Sequence, residues 1–167
     1  ANSNGYGVSL QLSYNNSFIN ITANNGTSGI NFNSASGNII INSSFQENTY
    51  PIFEISSSTV CNNSFQNITG SGGREIEFYN SPAIIQNKYL SQLVLCGANN
   101  SIIDNVTIQG SDNISSRKSL LGLYYSNNVT ISNINSSNNV MGVRLYYSHG
   151  NIISNITANS NSYGVNL

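Results

Sequence analysis

The segment Gly142–Leu167 reads GVRLYYSHGNIISNITANSNSYGVNL and contains the repeat that decides the fold. It holds an apolar-x-apolar strand, a tyrosine-rich corner, a second apolar strand with an Asn, and then the first strand again. The same order occurs one repeat earlier in Leu121–Ile134, which reads LGLYYSNNVTISNI. A fixed internal period of this kind is typical of solenoid proteins, in which each repeat forms one coil.

The first strand recurs along the whole chain at intervals that average about 22 residues. Period-two alternation puts both apolar positions of each strand on one face, which must be the interior. No segment has helical spacing, which disfavours leucine-rich repeats. We therefore predict a single all-β domain, residues 1–167, folded as a right-handed parallel β-helix of about seven to eight coils. The apolar pairs are Val8/Leu10, Ile30/Phe32, Phe53/Ile55, Ile76/Phe78, Leu93/Leu95, Leu121/Leu123, Val143/Leu145 and Val165/Leu167.

A second short strand in each coil has its own register. An apolar residue, such as Ile103 or Ile131, is followed two positions later by a polar one, usually Asn. Alternation places both on the interior face, so we expect a buried amide column in which each side chain bonds to the one above and below. The predicted internal column consists of Asn63, Asn87, Asn105, Asn133 and Asn155.

The composition excludes several classes of function. Only 7% of the residues are charged and the net charge is -1, so no basic patch is present that would bind nucleic acid. No apolar run reaches the length of about 18 residues that a membrane span requires. With 38% hydrophobic residues in regular groups, the chain is expected to fold rather than to be disordered. About a dozen Asn-x-Ser/Thr sequons and the absence of a signal-like start give weak support for a mature, extracellular chain.

The coils, with Gly-Val/Ile-x-Leu, then Tyr-x-Ser, then Asn-x-Ile-x-x-Asn, resemble the parallel β-helix repeats of the carbohydrate-binding and sugar-hydrolase superfamily. The similarity covers the whole chain and is strongest to Asn-rich repeats of archaeal surface proteins. It implies the fold. Because that superfamily includes enzymes, tailspikes and surface-layer proteins, it assigns no catalytic residue.

The two ends of the chain have nearly the same sequence. Residues 1–10 read ANSNGYGVSL and residues 158–167 read ANSNSYGVNL. Neither segment looks like a polar cap, so two interpretations remain: the chain is cut from a longer solenoid, or subunits stack end to end. In the stacked arrangement Val165 meets Val8 and Leu167 meets Leu10. Such head-to-tail contacts build filaments or large hoops, and the subunit then resembles that of a methanogen sheath.

Two cysteines are present. Cys61 occupies an inward position and is expected to be buried. Cys96 follows the Leu93/Leu95 strand and is expected outside or at a turn. With the two residues about two coils apart, an internal bridge exceeds the Cα separation of about 7 Å that a disulfide allows. An intermolecular disulfide through Cys96 is the alternative.

No convergent catalytic site is evident, and we predict neither an enzyme nor a cofactor or metal site. The best catalytic candidates are Glu54 and Glu77, which would lie about 5 Å apart on successive coils, near the spacing of a retaining glycosidase. An exposed acidic ladder is the simpler interpretation. His149 is the only histidine and lies in a turn without metal-ligand partners.

Tyr124, Tyr125, Tyr146 and Tyr147 form two adjacent columns in successive coils. They can extend the core around a corner, form a lateral contact between solenoids, or bind the face of a sugar ring. We thus expect a structural protein of a cell envelope, sheath or surface layer whose main partner is a second copy of itself. The alternative is a carbohydrate-binding or polysaccharide-cleaving module of a larger secreted protein.

Overall fold

The computed structural model describes residues 3–52, 55, 57–110 and 120–167. These residues form an all-β parallel solenoid of about seven turns, with successive turns about 22 residues apart. The predicted solenoid and its coil length are therefore confirmed.

The described strands form three sheets, and two short 3₁₀ helices lie between β5 and β7, at Ser58–Asn62 and Ser71–Gly73. The three-stranded sheet has the order β1-β3-β5, the four-stranded sheet β8-β10-β12-β14, and the eight-stranded sheet β2-β4-β6-β7-β9-β11-β13-β15. The strands are β1 (Tyr6–Gln11), β2 (Ser17–Ile19), β3 (Ser28–Asn33), β4 (Ile39–Ser44), β5 (Tyr50–Ile52), β6 (Ser64–Thr69), β7 (Glu75–Tyr79), β8 (Ile84–Leu90), β9 (Gln92–Cys96), β10 (Ile102–Ile108), β11 (Leu121–Tyr124), β12 (Thr130–Asn135), β13 (Met141–Tyr146), β14 (Ile152–Thr157) and β15 (Tyr163–Asn166).

The strand register confirms most of the predicted inward column. Val8 lies opposite Ile30 in the first two coils. Leu121 lies between Leu93 and Val143 in the later ones. The register departs from the prediction at β7, where Glu77 rather than Ile76 lies opposite Leu93. A slip of one residue exchanges the two faces of a strand, so Glu77 takes an inward position that the repeat assigned to Ile76.

The corners of the coils are formed by residues with a positive φ, and 12 of the 19 described non-glycine residues with this conformation are Asn. Asn tolerates this left-handed conformation better than other residues with a Cβ, because its short amide can bond to the nearby backbone. Such a residue also interrupts alternation within a strand. In β10, Asn105 has φ 52°, and both Ile103 and Val106 on either side of it are buried. The Asn itself therefore points outward.

The direction of the strands reverses once within the eight-stranded sheet. β6 and β7 pair antiparallel, with Ile68 opposite Ile76, whereas the other described ladders are parallel. The 3₁₀ helix Ser71–Gly73 makes the reversal possible, because Gly72 and Gly73 adopt φ angles of 67° and 70°. The chain consequently forms two stacks of coils, β1–β6 and β7–β15, which share one sheet.

Each stack has its own hydrophobic core, and β9 belongs to both. Along β9, Leu93 and Leu95 face the C-terminal core, while Val94 and Cys96 face the N-terminal core. Because alternate residues of a strand point to opposite faces, the two stacks close on opposite sides of the shared sheet. The N-terminal core also includes Leu10, Ile30, Phe32, Ile40, Phe45, Val60, Cys61, Ile68 and Ile76, and the C-terminal core includes Ile85, Ile103, Val106, Leu121, Leu123, Ile131, Ile134 and Val143.

Candidate functional site

The predicted internal column of amides is wrong for four of its five members. Asn87, Asn105, Asn133 and Asn155 are exposed, and only Asn63 is buried. The reason is the positive φ of the four, between 50° and 56°, which turns each side chain out of the coil. They still form a ladder on the outer surface: Asn105 Nδ2 donates to Asn87 Oδ1 at 2.7 Å, and Asn155 donates to Asn133.

A buried amide ladder does exist, but it lies at the other corner of the coil. Asn38 Oδ1 accepts hydrogen bonds from the backbone N and from Nδ2 of Asn16, both at 3.0 Å. In the same way, Asn63 Oδ1 accepts hydrogen bonds from the backbone N of Asn38 at 2.9 Å and from its Nδ2 at 3.0 Å. The sequence signal for this ladder is an Asn directly after a positive-φ corner residue, as in Asn15-Asn16 and Gly37-Asn38.

Cys61 and Cys96 form a disulfide within the chain, with their Cα atoms 5.0 Å apart. The expectation that Cys96 lies outside or at a turn and is available to another subunit is therefore wrong. Cys96 points to the face of β9 that the N-terminal core covers, and it is fully buried. Cys61 lies in the 3₁₀ helix Ser58–Asn62 and not on a strand, so the spacing of coils does not set its distance from Cys96.

Of the predicted carboxylate pair, Glu54 lies outside the described residues, and Glu77 is engaged in an ion pair. Glu77 Oε1 contacts Lys88 Nζ at 2.9 Å, and Glu77 Oε2 accepts a hydrogen bond from the Tyr79 hydroxyl at 3.1 Å. The hydrogen bond that Lys88 Nζ donates to Glu77 Oε1 raises the pKa of Lys88. Burial raises the pKa of the Tyr79 phenol, and the charge of Glu77 adds to the effect.

This ion pair closes one end of the C-terminal core. Glu77 lies in the column of Leu93, and Lys88 lies in the column of Val106. Both columns are apolar in the following coils, so the charged pair takes the place of a further apolar layer. Solenoids need polar residues of this kind where the core would otherwise face water. The arrangement indicates a structural cap at Glu77.

The four tyrosines have different environments. Tyr124 is 4% exposed and packs in the N-terminal core, whereas Tyr147 is 62% exposed. The rings of Tyr125 and Tyr147 are parallel within 1° and 5.4 Å apart. Arg144 lies over the rings of Tyr124 and Tyr146, at 5.6 and 5.2 Å. Stacking covers one face of each of these two rings, and Tyr147 remains mostly exposed.

The other polar candidates do not converge. His149 is exposed, and its backbone N donates to Asn127 Oδ1 at 2.7 Å. The pKa of Asp104 is lowered by hydrogen bonds from the Ser132 hydroxyl and the Asn133 amide. Within the described ranges no group of three or more His, Cys, Asp or Glu side chains could hold a metal ion. Nor does that part of the chain contain a helix long and apolar enough to cross a bilayer.

Apolar side chains are exposed at the C-terminal end of the solenoid, whereas Val8 and Leu10 of β1 are more buried. Val165 is 46% exposed and Leu167 89% exposed, while Val8 is half-buried and Leu10 is buried. Among the described strands, β15 pairs only with β13, and β1 pairs only with β3. Within the described residues, each of these two strands therefore has a ladder along one edge only, and the other edge is that on which a further strand would pair.

The fold and these sites define a disulfide-linked parallel β-solenoid with free end strands. No known protein-family model matches the chain, and no curated protein shows a significant match to it.

Proposed function

We propose that this chain is a structural protein of an extracellular surface, which assembles end to end into a sheath, surface layer or fibre. The observation that carries the proposal is the pair of free end strands, β1 and β15, which belong to segments of nearly identical sequence. Residues 1–10 and 158–167 differ only at Gly5/Ser162 and Ser9/Asn166. A strand that continues the apolar columns beyond Val165 and Leu167 needs two apolar residues at the same spacing, and β1 has them at Val8 and Leu10.

The contact would join a second copy's β1 to the outer edge of β15. Val8 would lie on Val165 and Leu10 on Leu167, at the strand spacing of about 4.8 Å. Apolar burial and backbone hydrogen bonds would both contribute, and Leu167, now almost fully exposed, would gain the most. Because the contact is heterologous, repeated addition gives a filament or a large hoop.

The disulfide supports an extracellular location. Both cysteines of the chain are consumed in one buried bridge, and such structural bridges persist in oxidising compartments. The low content of charged residues, 7%, also suits a protein that packs against copies of itself. In its most specific form, the proposal is a subunit of a sheath of the kind that encloses filamentous methanogens.

Electron microscopy and light scattering of the purified chain test the proposal. We expect filaments or hoops whose mass grows with protein concentration, and we expect Val165→Lys/Leu167→Lys to remain monomeric. Ile84→Lys is the matched control, because Ile84 is 73% exposed on β8, away from both end strands. A parent chain that stays monodisperse at high concentration, or a double variant that assembles as well as the parent, would overturn end-to-end assembly. Binding of a polysaccharide by a monomeric parent would favour the carbohydrate-binding alternative.

A further inference from the structure

The Asn residues that begin Asn-x-Ser/Thr sequons are distributed differently from the other Asn residues. Of the 30 described Asn, 11 begin a sequon, and all 11 are exposed. Of the remaining 19, nine are exposed and the others are buried or half-buried. Asn113 begins a further sequon and lies outside the described residues. The exposed sequon residues are Asn15, Asn20, Asn25, Asn42, Asn62, Asn67, Asn99, Asn105, Asn128, Asn135 and Asn155.

Several of these sequons share one geometry at the outer corner of the coil. The Asn has a positive φ and points outward, as Asn105 and Asn155 do. The next residue anchors the corner, since Val106 is 1% exposed. The third residue, Thr107 or Thr157, points outward again and is partly or fully exposed. The amide and the hydroxyl that an oligosaccharyl transferase must reach therefore lie on the same convex surface.

We propose that these exposed corners carry N-linked glycans, with Asn105 and Asn155 as principal acceptors. The co-reactant is an oligosaccharide linked to a polyisoprenoid diphosphate, and a membrane transferase catalyses the step. The amide nitrogen forms a bond to the anomeric carbon and loses one proton. The bond between that carbon and the phosphate oxygen breaks, and the lipid diphosphate leaves with the bonding electron pair. No redox change occurs.

The spacing of the sequons favours these two acceptors. In the outer column Asn87, Asn105, Asn133 and Asn155, only Asn105 and Asn155 begin sequons. They are two coils apart, about 10 Å at the spacing of parallel strands, which leaves room for a sugar on each. Asn42 is less favourable, because Asn20 and Asn67 begin sequons at the same position of the two adjacent coils, one strand spacing away on either side.

The glycans would not be attached to the end strands or to the strands that stack in register with them. No sequon Asn lies in β1, β3, β7, β9, β11, β13 or β15. Sugars at the outer corners would thus supply the hydration that a chain with 7% charged residues otherwise lacks, without covering the end strands. The inference shares the extracellular location with the proposed function but does not depend on self-association.

The test is secretion of the full chain from a yeast host, followed by site mapping. Glycopeptides are treated with an amidase in ¹⁸O water, which converts each occupied Asn to a labelled Asp. Both the secreted and the endoplasmic-reticulum pools are measured, so that slow secretion does not hide modification. We expect label at Asn105 and Asn155 and at least twofold lower occupancy at Asn42.

Matched variants separate the sequon from the fold. Thr107→Ser keeps the sequon of Asn105 and should keep its glycan, whereas Thr107→Ala should lose it while Asn155 stays occupied. Combining Tyr89→Thr with Thr107→Ala moves the sequon from Asn105 to the exposed Asn87 of the adjacent coil and should place the glycan at Asn87 instead. A parent chain with the mass of the bare polypeptide in both pools would overturn the inference, as would occupancy of Asn105 unaffected by Thr107→Ala. Neither result bears on whether the chain forms filaments.

Discussion

Cys61 and Cys96 join a 3₁₀ helix at the end of the first stack of coils to the middle strand of the shared sheet. Their Cα atoms lie 5.0 Å apart although 35 residues separate them in sequence. The bridge thus crosses the place where the strand direction reverses. Its two cysteines come from opposite sides of the reversal, so the disulfide fixes the two stacks against each other.

Removal of this bridge should destabilise the chain strongly. A closed loop of 35 residues corresponds to about 3–4 kcal/mol of loop-closure entropy in the unfolded state. We expect Cys61→Ala/Cys96→Ala, and the parent under reducing conditions, to lose about this free energy of unfolding in urea titrations. Equal urea midpoints for the oxidised parent and the double variant would contradict the prediction.

Removing one partner of the ion pair that caps the C-terminal core should destabilise the protein more than replacing both partners with apolar residues. Lys88→Met leaves the Glu77 carboxylate, whose side chain is 15% exposed, without its cation. We expect a loss of about 1–3 kcal/mol, reduced by solvent because the Lys88 side chain is 41% exposed. Glu77→Leu/Lys88→Val should recover most of it, because Leu93 and Val106 continue the same columns. A double variant that is less stable than Lys88→Met in thermal unfolding would refute a capping role.

The same cluster should make the protein sensitive to alkaline pH. The folded-state pKa values of Lys88 and Tyr79 are both raised above their ordinary values, 10.5 and 10.0. The folded state therefore holds these two protons more tightly, so their contribution is complete below about pH 10 and is lost as the pH rises through the raised values. We expect the free energy of unfolding to fall above pH 10 in the parent, and to fall less steeply in Glu77→Gln. Parallel pH profiles for the two proteins would count against this assignment.

The two Asn ladders should respond differently to substitution. Asn38→Ala removes a buried amide that bonds to Asn16 and Asn63, and we expect a loss of about 1–3 kcal/mol. Asn87→Gly removes an exposed amide at a residue with φ 56°, a conformation that glycine adopts easily. Its free energy of unfolding should stay within about 0.5 kcal/mol of the parent. If Asn87→Gly lowered the free energy of unfolding as much as Asn38→Ala in denaturant titrations, the outer ladder would contribute to stability and the prediction would be wrong.

Much of the fold was predictable because apolar spacing is a local signal. The columns of Val8, Leu93 and Val143 follow from alternation within short strands and from the repeat length. The orientation of Asn105 did not follow, because its positive φ interrupts the alternation within β10, and apolar spacing alone does not show where such an interruption occurs. An Asn at a corner can point inward, as Asn63 does, or outward.

The cap and the disulfide could not be predicted from the sequence, because both depend on the part of the chain where the repeat is weakest. Extending the register from Ile30 and Phe32 across residues 53–75 puts Glu77 on the outer face. The reversal falls in that region, and the slip follows it at Ile76 and Glu77. A single axis of coils puts Cys61 and Cys96 too far apart for a bridge, whereas two stacks on opposite faces of one sheet bring them together.

All five residues of β9 are buried, because each face of this strand serves a different core. In a simple solenoid each coil touches only its two neighbours, so the structure can fray coil by coil from an end. Here the central strand cannot separate from one stack without exposing the apolar layer of the other, which couples the two halves into one cooperative unit. Under a pulling force the outer coils would peel first, and β9 would be the last strand to yield.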